Sequence, residues 1–297
     1  MVINIFIIIA LIAVIIGSYT DIKTLEVPDW LNYSLIAIGL GGNLIFTIAN
    51  SDTSYIIKSL TGLGISFIIG MIMFYTGQWG GGDSKMIFGL GALFGFDYKS
   101  LLKFEFDFYT KFFVNMLVAG AAYGLIWIFI MALKNRKKLI RKTKIKLRNK
   151  KLRRIRIISG FASIIGLLVI YYLPNYIDSE IKILLSLSLV ILYFMNYLFI
   201  IIKIVEEVSM VKLISPEKLT EGDWIVEDIY YKNKRITGPK DLGISKKNIE
   251  KLIKLKQQGK INKIKVKYGI PFVPSFLIAL IYTIIFNKIV LLQLVLW

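Results

Sequence analysis

The chain has 297 residues, 38 Lys plus Arg against 19 Asp plus Glu, a formal net charge of +19, and neither cysteine nor histidine. Without Cys there is no disulfide framework, thiolate nucleophile or Cys-ligated zinc, and without His there is no Ser-His pair, imidazole ligand or proton shuttle. Hydrophobic residues make up 56% of a chain that is also 19% charged, so the two kinds must be segregated into blocks, as in a polytopic membrane protein and unlike an average soluble domain.

A spanning helix needs roughly 20 mostly apolar residues, about 17 at the short end. In chain order the stretches that qualify are Val2–Tyr19, Leu31–Ala49, Ile56–Tyr75, Phe112–Leu133, Ile155–Leu173, Ile183–Val205 and Ile270–Leu292. An eighth, short one, Met86–Phe96, carries Gly89, Gly91 and Gly95, which let neighbouring helices approach closely. The first stretch lacks a basic n-region and a small-residue cleavage site, so it is read as a retained helix. The expected fold class is a polytopic α-helical membrane protein of about eight transmembrane helices, with a small cytoplasmic α+β insert before the last. The expected divisions are a membrane core (1–133), a basic cytoplasmic loop (134–156), an additional helix pair (157–205), the α+β module (206–268) and a last helix (269–297).

Loop charge sets the orientation. Lys134–Arg156 carries 14 basic residues and no acid, and Lys203–Lys267 carries 16 basic and 9 acidic ones, so both are expected in the cytoplasm of a cell-membrane protein whose termini lie outside. The same reckoning puts the turns Asp21–Trp30 and Thr76–Lys85 together on the cytoplasmic face. Within the second basic segment, Trp224–Tyr231 reads as a strand, Lys232-Asn233-Lys234 as a turn, and Arg235–Thr237 as a return strand. A helix follows with Ser245 as N-cap and Gly259 as stop, and Ile261, Ile264 and Val266 suggest a last strand. The module's apolar face is expected to rest on the helix bundle.

Two acids fall in the two turns that share a face. Asp21 ends the first helix, ahead of Glu26, Val27, Pro28 and Asp29, with Pro28 marking the break before the second helix. Asp83 follows Gly80-Gly81-Gly82 at the start of the short helix. Three consecutive glycines are costly in backbone entropy, and close backbone approach to a neighbouring helix or an extended substrate is the expected gain. Two carboxylates held close together cannot both ionise, so the pair shares a proton, one member able to take a proton from water while the other donates to a scissile carbonyl. Each acid taken alone also fits an interfacial charge. Lys23 and Lys85, each two residues after its Asp, either mark the positive-inside face or hold a substrate backbone.

The segments Asp21-Ile22-Lys23, Val27-Pro28-Asp29-Trp30-Leu31 and Gly80-Gly81-Gly82-Asp83-Ser84-Lys85 resemble the two signature regions of the type IV prepilin peptidase family, which includes the archaeal preflagellin peptidases, membrane aspartic proteases of the GxGD type. The resemblance covers the first four helices. Lys267–Phe276 resembles the last helix of the archaeal members, and Gly238-Pro239-Lys240-Asp241-Leu242-Gly243-Ile244 resembles their insert. It implies removal of a short basic leader from prepilin-like precursors, pilin or archaellin, at the cytoplasmic face, without a cofactor. Asp21 and Asp83 would be the catalytic pair, Gly80 and Gly82 the family glycines, with Gly82 giving the acid backbone freedom. Lys23, Lys85 and Pro28 would position motif or substrate. The chain departs from the bacterial members, which carry a Cys-rich zinc loop and N-methylate the new terminus, in that a Cys-free sequence lacks the loop and the resemblance does not extend to methyl transfer, and from the shortest archaeal members by its basic loop and extra helix pair.

The basic run has no interleaved aromatics for base stacking and sits between membrane helices, which favours anionic lipid headgroups over nucleic acid. Glu26, Asp29, Glu206 and Glu207 are the better candidates for touching a basic leader. Two rival readings have distinct signatures. A presenilin-like intramembrane protease would show Tyr-Asp and Pro-Ala-Leu, but Thr20 separates Tyr19 from Asp21 and Phe272-Val273 follow Pro271. A carboxylate-bearing transporter would show repeated halves with discontinuous helices, and no such symmetry is visible.

Overall fold

The computed structural model describes residues 2–103, 105–174, 178–241 and 243–295. Its helices are α1 (Val2–Thr24), α2 (Asp29–Asn50), α3 (Ser54–Tyr75), α4 (Gly81–Phe94), α5 (Tyr98–Leu102), α6 (Phe108–Lys134), α7 (Arg136–Leu147), α8 (Lys150–Tyr171), α9 (Ser179–Ser209), α10 (Lys246–Gln257), α11 (Val273–Phe286) and α12 (Val290–Val295). Among the described residues six of them, α1, α2, α3, α6, α8 and α9, are long and apolar enough to cross a membrane, and the protein is a multi-pass helical membrane protein. The last apolar stretch, expected as one helix, is broken where Asn287 takes the left-handed conformation (φ 48°) between α11 and α12.

The short α4 is the centre of the bundle. Nine of its 14 residues, Ser84 and Met86–Leu93, are buried, and it packs against α2 and α3 most extensively, with α1 and α6 also touching it. A helix apolar all round is stable only when enclosed by other elements. Its glycines allow this: a Cβ on Gly91 would stand 1.8 Å from Ser66 Oγ and 2.5 Å from the Gly62 carbonyl, so α3 and α4 cross backbone to backbone. Met86, Leu90 and Leu93 of α4 join Leu35, Phe112 and Phe276 in the principal core.

The helix pair α8–α9 stands largely apart. No residue of α8 is buried, and on α9 only Ile200, Ile204 and Val205 are; α8 packs on α9, which in turn meets α6 and α7. The segment expected as a basic loop is instead the helix α7. Lys, Arg, Leu and Ile all propagate helix well, and Glu207 of α9 neutralises Lys142 and Lys146, each at 2.8 Å, which relieves some of the repulsion along α7.

Residues 211–267 form β1 (Val211–Ile214), β2 (Trp224–Ile225), β3 (Ile229–Tyr231), β4 (Lys234–Thr237) and β5 (Ile264–Lys267) around α10. β5 lies between β1 and β2, antiparallel to both, with Val211 opposite Lys267 and Ile225 opposite Val266. The segment read as one strand over Trp224–Tyr231 is two, β2 and β3, which belong to different sheets. β3 and β4 form a hairpin whose two-residue turn, Lys232-Asn233, has positive φ at both positions, the geometry that matches strand twist. Contrary to expectation, the module's apolar face rests on itself: Leu252 and Leu255 of α10 close over Ile225, Ile264 and Val266 of the sheet.

Candidate active site

Asp21 occupies the last full turn of α1, which runs past the expected helix end at Tyr19 to Thr24. The side chain is 5% exposed, and its Oδ2 accepts a hydrogen bond of 2.9 Å from the backbone N–H of Val273. Val273 is the first residue of α11, a helix whose start has Pro274 in its first turn and no side-chain cap of its own. The first N–H groups of a helix have no partner within it, so the carboxylate of α1 caps α11 from outside and fastens the two helices end to end.

Asp83 is the third residue of α4. Its Oδ2 accepts from the Gly80 N–H at 2.9 Å, closing the first turn of the helix, and Ser84 Oγ donates to the Gly80 carbonyl at 3.1 Å. The neighbouring turn supports this start. Asn32 Nδ2 of α2 donates to the Gly82 carbonyl at 3.3 Å, and a Cβ on Gly82 would lie 3.0 Å from Val27 Cβ and 3.1 Å from Val27 N. Gly82 is therefore needed for close approach. The expected backbone freedom is not what it supplies: Gly81 and Gly82 are helical, and Gly80 is extended with φ −71°, a conformation open to any residue.

The two acids come together because α1 and α4 cross one turn inside both of them. Gly17, four residues before Asp21, would set a Cβ 2.6 Å from Met86 Cε, three residues after Asp83, and 3.4 Å from Val273 Cγ1. The carboxylates therefore share one end of the bundle. Trp79, in the loop before Asp83, is buried against Phe272, just ahead of α11, and Phe276 within it, each ring centroid 5.8 Å away. Loop, α1 and α11 are thus one packed unit.

The remaining expected site residues fall in two groups. Lys85 pairs with Asp29 at 2.6 Å and lies 5.5 Å over the Tyr33 ring, tying the start of α2 to α4 beside Asp83, and Pro28 is the N-cap of α2. Lys23 is exposed and turns back over Tyr19. Of the acids considered for a basic leader, Asp29 is held by Lys85, Glu206 by Lys267, and Glu207 by Lys142 and Lys146. Glu26, exposed in the α1–α2 turn, has no ion-pair partner among the described residues. Sequence reasoning missed Val273, Trp79 and Asn32; the signal for the first was an apolar helix start, Pro271–Pro274, without a capping side chain. It also missed Trp224 of β2, whose Cη2 would lie 2.9 Å from a Cβ on Gly77, where φ is +70°. The α+β module therefore abuts the loop that leads into α4 and Asp83.

Fold and site define a class: a multi-pass helical membrane protein with two carboxylates converging at one end of its bundle. Residues 8–128, which hold both acids, match the type IV leader peptidase family, the family that the two motifs resemble. The chain is similar to the preflagellin peptidase of Methanocaldococcus jannaschii, 38% identical over 86 residues, 29% of this chain and 36% of that protein. The preflagellin peptidase of Methanococcus maripaludis is 37% identical over 104 residues, 35% of this chain and 42% of that protein. The prepilin peptidase EppA of Methanothermobacter thermautotrophicus is 28% identical over 144 residues, 44% of this chain and 37% of that protein. The chain thus spans well under half the length of the curated relatives it matches. No solved structure matches.

Proposed function

We propose that the protein is a membrane aspartic endopeptidase that removes the short basic leader from type IV prepilin-like precursors, pilin or archaellin, at the cytoplasmic face of the cell membrane. The observation that carries this reading is the convergence of Asp21 and Asp83 within a segment that matches a leader peptidase family.

The chemistry needs only this pair. Two like charges at short range oppose joint ionisation, so the pair holds one shared proton. The ionised carboxylate takes a proton from water as its oxygen attacks the scissile carbonyl, and the protonated one donates to the carbonyl oxygen. Collapse of the tetrahedral intermediate breaks the C–N bond, and the amine leaves with a proton returned by the pair. Gly80 keeps the ground beside Asp83 free of a side chain for an extended peptide, and Gly82 lets the Val27 turn pack against the start of α4. Lys85 and Pro28 set the α2 turn against α4, Lys23 faces the headgroup region, and Glu26 is the acid open to a basic leader.

In this reading α1, α2, α3, α4, α6, α8, α9 and α11 cross the bilayer, which gives eight spans with both termini outside. The basic α7 lies on anionic headgroups and the α+β module sits in the cytoplasm, as loop charge requires. Co-expression with a prepilin-like substrate tests the activity: the wild type releases the leader, and Asp21→Asn or Asp83→Asn does not. Cleavage surviving either substitution would overturn the assignment.

A further inference from the structure

We propose that the groove between the basic end of α8 and the facing side of α9 is a binding site for one anionic phospholipid, with arginines for its phosphodiester and an apolar wall for an acyl chain. The groove encloses about 600 Å³ and is lined at its mouth by Arg148, Arg153 and Arg156. Ile157, Phe161 and Ile164 continue the lining along α8, and Tyr193 and Tyr197 form the opposite wall on α9.

The chemistry changes along the groove in the order a phospholipid would need. From Ile157 to Tyr171 α8 has no charged residue, and Ile164 lies eight residues beyond Arg156, about 12 Å along the axis. Headgroup and first methylenes would fit that length. At the mouth, Arg156 is half-buried, donates to the Leu147 carbonyl and stacks 5.6 Å from the Tyr197 ring centroid. Its guanidinium is thus oriented by protein contacts, while Tyr197 is braced by a 3.1 Å hydroxyl contact with Tyr193. The gap is distinct from the close contact further along the pair at Gly166, where a Cβ would lie 2.7 Å from Leu189.

Charge complementarity selects the occupant. None of the three arginines has a carboxylate partner among the described residues, and Glu207 of α9 is occupied by Lys142 and Lys146. Guanidinium groups at a membrane surface bind phosphate oxygens bidentately, and a basic pocket between transmembrane helices is the usual form of a headgroup site. The proposal rests on the reading that α8 and α9 enter the bilayer from a surface marked by α7. It goes further in locating a defined site on the helix pair, separate from the diffuse charge of α7.

The test uses the full-length protein in nanodiscs of phosphatidylglycerol mixed with phosphatidylcholine, released for native mass spectrometry. The wild type should retain phosphatidylglycerol in preference to phosphatidylcholine, and the variant Arg148→Gln/Arg153→Gln/Arg156→Gln should lose that retention by about a hundredfold. Arg136→Gln/Lys137→Gln/Lys144→Gln removes equal charge from α7 outside the groove and should change it less than about threefold. Arg153→Gln alone, an exposed position, should still weaken retention about fivefold if the triple variant fails to fold. Equal losses from both triple variants, or equal retention of both lipids, would overturn the site. Displacement of the lipid by inorganic phosphate at millimolar concentration would make the ligand a free phosphate and overturn the phospholipid. Quenching of a fluorophore at Val169→Cys, a unique thiol in this chain, by doxyl-labelled lipid reports bilayer insertion of α8 by itself. Failure of the membrane reading is thereby separated from failure of the groove.

Discussion

Asp21 has two jobs in this structure, and substitution separates them. Its carboxylate is proposed to carry chemistry with Asp83, and its Oδ2 also caps α11 through the Val273 N–H at 2.9 Å. Asp21→Asn removes the charge but keeps an amide oxygen able to accept that hydrogen bond. Asp21→Ala removes both. Loss of a capping acceptor costs about 0.5–2 kcal/mol, and a buried N–H left without a partner costs about 1–3 kcal/mol. The site is almost fully enclosed, so these overlapping costs place Asp21→Ala about 2 kcal/mol below wild type, with Asp21→Asn within about 1 kcal/mol. Both should lose leader cleavage by at least about a hundredfold, the low end for a positioned acid–base group. Thermal unfolding of the purified protein in detergent and time-resolved cleavage of a prepilin-like substrate give the two readouts. Asp21→Ala as stable as wild type would refute the capping argument, and Asp21→Asn cleaving within tenfold of wild type would refute the catalytic one.

Other outcomes follow from particular contacts. Gly91→Ala forces a Cβ against Ser66 Oγ and the Gly62 backbone and should destabilise the bundle by about 1–3 kcal/mol; Gly64→Ala, with nothing within 4 Å, should be neutral or slightly stabilising, and equal melting temperatures would sink the close-crossing account of α3 and α4. Lys85→Gln should alter stability by less than about 1 kcal/mol, because the Asp29 pair is largely exposed, yet slow cleavage if the pair sets α2 against α4; restoration by Asp29→Lys/Lys85→Asp is the check. In the module, the Arg235 guanidinium holds the Asp241 carboxyl below the usual carboxylate range, and that carboxyl also accepts from the Gly238 N–H. A depressed folded-state value contributes stability above the unfolded value near 3.9 and loses it as pH falls through the folded value. Amide exchange in β3 and β4, corrected for its intrinsic pH dependence, should therefore accelerate as pH falls below about 4, and unchanged protection would contradict the linkage.

Block segregation of apolar and charged residues, an interval property of the chain, determined the membrane class, the extent of most helices to within a few residues and the pairing of the two acid motifs. It also determined α10 and the β3–β4 turn, since local periodicity and turn chemistry need no distant partner. The rest depended on contacts far apart in sequence. That Asp21 would cap α11 requires Val273, 252 residues away, and that Gly82 serves close approach requires knowing that Val27 lies against it. A charge run cannot say whether it is loop or helix until a partner such as Glu207 is placed beside it, and α4 can be a central helix of 14 residues only because four others surround it. Sequence thus determined which segments leave water and which carboxylates are candidates for chemistry. Tertiary structure alone decided which backbone groups those carboxylates hold, because hydrogen bonds and van der Waals contacts act over a few ångströms, a distance that chain order does not encode.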